Sequence, residues 1–117
     1  MTTIIKRMEP HPPTCLPREG IPMVIVVMND CSYGAELHFL KERDMAVGMS
    51  LFPDIDFAPV AEAFGFQTAT VRTIEELRAL APLLAEPDGP VLIDCKVNQN
   101  VCAPFLLEST AHAARKN

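Results

Sequence analysis

Residues Met23–Met28, MVIVVM, form an apolar, β-branched run that stops abruptly at Asn29-Asp30. A continuous run of this kind, bounded by polar turn residues, is the pattern of a strand buried on both faces of a parallel sheet. In open α/β sheets, ligands gather outside the carboxyl ends of the strands. Asn29, Asp30, Cys31, Ser32, Tyr33 and Gly34 stand at such an end. That loop is therefore the first place to look for chemistry.

The rest of the chain repeats the strand-and-helix theme. Ala35–Arg43 reads as a helix, with Leu37, Leu40 and Lys41 at helical spacing from Gly34. Asp44–Ile55 is a loop, interrupted by Gly48 and Pro53. Asp56 suits the N-cap of a short helix over Phe57–Phe64, whose first turn tolerates Pro59, and Gly65 suits its stop. Phe66–Val71 is a second strand. Thr73 and Glu76 have the spacing of a capping box ahead of a helix with Ile74, Leu77, Leu80 and Leu84 on one face, which Pro82 should break. Asp88-Gly89-Pro90 is a turn, and Val91–Val97 is a third strand. Strands alternating with helices imply parallel pairing with helical crossovers.

The flanks differ. Residues 1–17 carry Pro10, Pro12, Pro13 and Pro17, which forbid a helix there, although Thr2–Arg7 suits a short strand. Residues 98–117 form a tail with a helical stretch expected from Phe105 onward. The division expected is thus a proline-rich leader (1–17), an α/β domain (18–97) and a tail (98–117).

Bulk properties narrow the function classes. A chain of 117 residues, 49% hydrophobic and 21% charged, suits one soluble domain with a modest core. Net charge is −5, with Lys and Arg scattered rather than striped, which argues against nucleic acid as a partner. The longest apolar run is far too short to cross a bilayer, and no secretory pattern opens the chain. The four cysteines, Cys15, Cys31, Cys95 and Cys102, form no CxxC pair and have no His at zinc spacing. Cytosolic thiols are the expectation. There is no G-x-S-x-G, no P-loop and no G-x-G-x-x-G after a strand.

Read together, Asn29-Asp30-x-x-Tyr33-Gly34, Asp56-Phe57, Ala61-Glu62-Ala63-Phe64-Gly65, Glu75-Glu76-Leu77 and Gly89-Pro90-Val91-Leu92-Ile93 form an ordered series. It resembles the diphosphate-binding, C-terminal domain of thiamine-diphosphate enzymes of the acetolactate synthase, pyruvate decarboxylase and benzaldehyde lyase group. The likeness runs from Arg18 to about Val97. It implies a three-layer, Rossmann-like α/β fold with a partial parallel sheet, truncated relative to the family because these residues contain no Gly-Asp-Gly. It also implies thiamine diphosphate and Mg2+ as cofactors.

Carried over residue by residue, the resemblance gives Asp30 a side-chain position on Mg2+ and Ser32 a backbone-carbonyl position. It sets Asn29, Cys31, Tyr33 and Gly34 beside the cofactor. Glu36, six residues beyond Asp30, falls where some members keep a carboxylic acid for proton transfer. Octahedral Mg2+ needs more oxygens than this loop holds. Asn29 and Asp30 equally suit a turn and the cap of the next helix, Glu36 a solvated helix face, and His38 a half-buried polar position.

Two functions follow as expectations. One is a truncated binding-type domain, not catalytic alone, acting in the cytoplasm as an oligomeric α/β module, most simply a homodimer. The other is a subunit or fragment of a split enzyme that decarboxylates or ligates 2-oxo acids together with a complementary subunit. In such enzymes the cofactor carries the hard chemistry and the protein supplies binding and orientation.

Overall fold

The computed structural model describes residues 2–6 and 19–105; the prolines of the leader and the tail beyond Phe105 lie outside the described residues. The chain divides into two compact units: Thr2–Asn29 with Ile55–Val97, and Asp30–Asp54 with the residues from Asn98 on.

The first unit is built on a four-stranded sheet. Its strands are β1 (Thr2–Lys6), β2 (Met23–Asn29), β3 (Gln67–Val71) and β4 (Pro90–Lys96), in the order β1-β2-β4-β3. β2, β4 and β3 are parallel, as the buried apolar runs require, and the central pair aligns Met23 with Pro90 and Asn29 with Lys96. β1 adds an antiparallel strand on the other side of β2, with Thr2 opposite Met28. The short strand expected near Thr2–Arg7 therefore forms.

Because side chains alternate along a strand, this register sorts the core into two faces. On one face Met23, Ile25 and Val27 pack with Ile21, Leu92, Phe57 and Phe66. The last two flank α2, Ala58–Ala63, the helix that leads into β3. On the other face Val71, Val91, Ile93 and Cys95 meet Val24, Val26 and Met28 together with Leu77, Leu80, Leu83 and Leu84. Those leucines come from α3 (Ile74–Ala79) and α4 (Ala81–Ala85) and the junction between them. Helices on both faces of a largely parallel sheet make the three-layer α/β arrangement that the resemblance implied.

Local chemistry explains most of the boundaries. The capping box forms: Thr73 Oγ1 accepts the Glu76 N–H at 3.2 Å, and the Glu76 carboxylate accepts the Thr73 N–H at 3.1 Å. Pro82 opens α4 rather than kinking one long helix, since its ring excludes the carbonyl bond an interior position would need. Gly65 follows α2 with φ +87°, a conformation that costs glycine little.

Two expectations change. Asp56 does not cap α2; Phe57 holds that position, and its N–H is taken at 2.9 Å by Asp94 reaching from β4. Asp56 instead pairs with Lys96 at 3.0 Å and Arg72 at 3.6 Å. β2 also runs one residue further than the apolar run suggests, so Asn29 is a strand residue rather than a loop residue.

The second unit carries α1, Gly34–Glu42, whose Leu37 is fully buried. The loop after α1 contains a 3-10 turn, Gly48–Ser50, and then runs beside Cys31–Tyr33. Tyr33 N–H donates to Ser50 O at 2.9 Å, Phe52 N–H donates to Cys31 O at 3.1 Å, and Ser32 and Leu51 form an antiparallel bridge.

Candidate functional site

Alternation along β2 and β4 places Asn29, Asp94 and Lys96 on the same face of the sheet at its carboxyl end. Asn29 is 1% exposed and Asp94 fully buried, while the Lys96 side chain is 9% exposed. A buried carboxylate is tolerated only when its oxygens are satisfied. Here one Asp94 oxygen accepts Asn29 Nδ2 at 3.1 Å, and the other accepts the Phe57 N–H at 2.9 Å and pairs with Lys96 Nζ at 3.3 Å. Lys96 Nζ also donates to Ile55 O at 2.7 Å, and Asn29 Nδ2 donates to the same carbonyl at 2.9 Å. Asn29 O accepts the Val97 N–H at 3.0 Å. Together these contacts tie the chain at Ile55–Phe57, the entry to α2, to the ends of the two central strands.

Asp94 and Lys96 were not singled out by the sequence reading. A signal for them existed. Period-two alternation from Val91 puts Ile93 and Cys95 on one face and the charged pair on the other, an arrangement that needs a polar partner across the sheet. Asn29 at the end of β2 is that partner.

Asp30, Cys31, Ser32, Tyr33 and Gly34 lie together in the second unit. Asp30 is half-buried, and its Oδ1 accepts the Ser32 N–H at 3.1 Å, an Asx turn. Its Oδ2 lies 2.6 Å from where a side-chain carbon on Gly34 would fall. Glycine at position 34 thus makes room for this chain's own carboxylate. Cys31 takes φ +55°, an uncommon conformation outside glycine, and its thiol lies 3.6 Å from Asp54 Oδ1. The side-chain amide of Gln99 donates to Asp30 O at 3.0 Å, which pins the loop from the segment after β4.

Ser32 is fully buried. The Tyr33 ring meets Phe52 edge-on at 5.6 Å and remains largely exposed. Glu36 is exposed on α1, on the wall of an open hollow of about 570 Å3 that Tyr33, Phe39, Leu40 and Met49 also line. His38 is half-buried on the same helix.

The loop's fit to a metal can be judged from these contacts. Mg2+ takes six oxygens in near-ideal octahedral geometry and gives up water reluctantly. Among the described residues no three of His, Cys, Asp or Glu converge, and the Asp30 carboxylate is turned onto its own backbone. The described residues do not by themselves compose a Mg2+ site. Asp30 stands at the position the resemblance assigned to a side-chain ligand.

Residues 15–95 match the family described as "Thiamine pyrophosphate enzyme, C-terminal TPP binding domain". The chain belongs to this family. A solved structure, the Rhodococcus jostii RHA1 thiamine diphosphate-dependent 4-hydroxybenzoylformate decarboxylase, is 32% identical, with a TM-score of 0.64 over 73% of the chain. The acetolactate synthase large subunit of Pyropia yezoensis is 32% identical over 59 residues, 50% of the chain. The chain spans only 16% of the decarboxylase and 10% of the synthase. Family membership makes thiamine diphosphate the cofactor class, and the sheet is the one the family resemblance implied.

No described helix is long and apolar enough to cross a membrane.

Proposed function

We propose that this stretch of 117 residues is a thiamine-diphosphate-binding-type module that is not catalytic by itself and works in the cytoplasm as a homo-oligomer, most simply a dimer. The observation that carries this reading is the state of Asp30. The one carboxylate at the assigned metal position holds the loop's own Ser32 amide, so that carboxylate is engaged without a ligand. Taking it away costs a hydrogen bond of about 0.5–1.5 kcal/mol, and the remaining metal oxygens have to come from elsewhere. Self-association is supported by the exposed apolar side chains of the sheet unit, among them Val60, Phe64 and Ile74.

A second reading is favoured by the hollow beside Glu36. In it, the chain is one part of a split thiamine-diphosphate enzyme acting on 2-oxo acids. Asp30 and the Ser32 carbonyl then complete a Mg2+ shell supplied largely by a complementary subunit. Asn29, Cys31, Tyr33 and Gly34 shape the diphosphate end, with Asn29 acting through its hold on the strand ends. When bound, the cofactor supplies the carbanion chemistry. Glu36 holds or delivers a proton at the open side of the hollow, a role for which a closing partner must exclude water around it.

Calorimetric titration of the purified chain with thiamine diphosphate and Mg2+ separates the two. The first reading predicts no saturable heat below millimolar cofactor, and micromolar binding by the chain alone refutes it. Binding that emerges only on mixing with a Gly-Asp-Gly-bearing subunit establishes the second.

A further inference from the structure

The sheet ends at β3, which pairs with β4 and, among the described residues, with no other strand. Natural edge strands are usually blunted by charge, proline or a bulge, because an open row of backbone donors and acceptors recruits another strand. Gln67-Thr68-Ala69-Thr70-Val71 has none of these guards: no charge, no proline, no glycine, and two β-branched threonines.

We infer that β3 is a self-association edge, pairing antiparallel with β3 of a second copy about a two-fold axis at Ala69, so that two sheets join into one. This names the interface for the oligomer proposed above and rests on that reading. The argument for a second copy, rather than an unrelated strand, is the self-complementarity of the segment. A two-fold at Ala69 sets Gln67 opposite Val71 of the copy and Thr68 opposite Thr70, and Thr–Thr cross-strand pairs are favourable. Paired residues then share a face, so the helical layers of the two copies continue on the same sides of the sheet; a one-residue slip would reverse this.

Phe64 before the strand and Ile74 after it are exposed apolar side chains, 70% and 53%. Phe66 comes level with the copy's Arg72. Closed two-fold pairing of one surface with itself is the commonest route to a dimer.

Charge placed on the edge tests this without touching the buried core. In Thr68→Lys/Thr70→Lys, each lysine meets a lysine of the copy; in Thr68→Glu/Thr70→Lys, each pair is opposite in sign. Light scattering and sedimentation of the native chain should give a dimer at micromolar concentration. The double lysine variant should shift to monomer, with a dissociation constant raised at least tenfold, and the mixed variant should return to dimer. Circular dichroism melts of both variants establish that each is folded; if either is unfolded, amide exchange of the native chain decides, with slow exchange along Thr68–Thr70 supporting the pairing and fast exchange overturning it. A native monomer refutes self-association altogether. A native dimer that the lysines leave intact refutes this edge while leaving self-association standing.

Discussion

Asp94 and Asp30 occupy opposite circumstances in the two units of this chain. Asp94 is fully buried, and its two oxygens answer an amide side chain, a backbone N–H and an ammonium group drawn from three separate segments. Asp30 is half-buried and answers an amide two residues along its own loop. A carboxylate held from three directions is committed to the fold, since freeing it leaves buried partners uncompensated. A carboxylate turned onto a nearby amide of its own loop can exchange that bond for another at small cost. The comparison teaches that sequence position at a strand's carboxyl end does not decide function. The number and reach of a group's partners do.

The sharpest way to break this contrast is to remove each carboxylate. Asp94→Ala removes the acceptor of the Phe57 N–H and the buried carboxylate that Lys96 and Asn29 share, and should cost about 3–5 kcal/mol, the range for breaking a buried pair, whereas Asp30→Ala should cost about 0.5–1.5 kcal/mol, the range for a hydrogen bond. Urea midpoints read at constant m-value give both numbers. Equal losses would erase the distinction between the two aspartates.

Gly34 sharpens the comparison on the Asp30 side. An alanine there places its side-chain carbon against Asp30 Oδ2, the far end of a side chain that can turn away, so the cost should be about 0.5–1.5 kcal/mol, that of the hydrogen bond disturbed. In an Asp30→Ala background most of that cost should vanish. A double-mutant cycle with no coupling between positions 30 and 34 would mean that the glycine serves something other than this carboxylate.

A smaller effect belongs to the Asp94 side. Burial, and secondarily the charge of Asp94, push the Cys95 thiol above its ordinary value of 9.0. The folded chain therefore favours the protonated thiol, and the unfolded chain ionises first. This contribution is complete below about pH 9 and disappears as pH rises through the folded value. Thermal midpoints should fall more steeply above pH 9 in the native chain than in Cys95→Ala, and parallel curves would contradict the assignment.

Much of the fold was legible in the residues because local and global signals agreed. Three apolar runs, a capping box at Thr73, a stop at Gly65 and a break at Pro82 all describe the same α/β order. Asp56 misled because capping was judged from nearest neighbours, whereas Asp94, far away in sequence, takes the Phe57 N–H. The burial of Asn29 was not legible, since it depends on the register that aligns this residue with Lys96. The hold of Gln99 on the Asp30 carbonyl left no trace in spacing or composition. Contacts between distant segments are what a single sequence conceals.

The central proposal is that the Asp30 loop takes no cofactor unaided. Amide NMR of the isolated chain, titrated with thiamine diphosphate and Mg2+, tests it most directly through the Ser32 N–H that Asp30 holds. The account predicts that the Ser32 and Gly34 resonances show no saturating shift below millimolar cofactor, in the native chain and in Asp30→Asn alike. A saturating shift of Ser32 with a micromolar midpoint, abolished by Asp30→Asn, would contradict it.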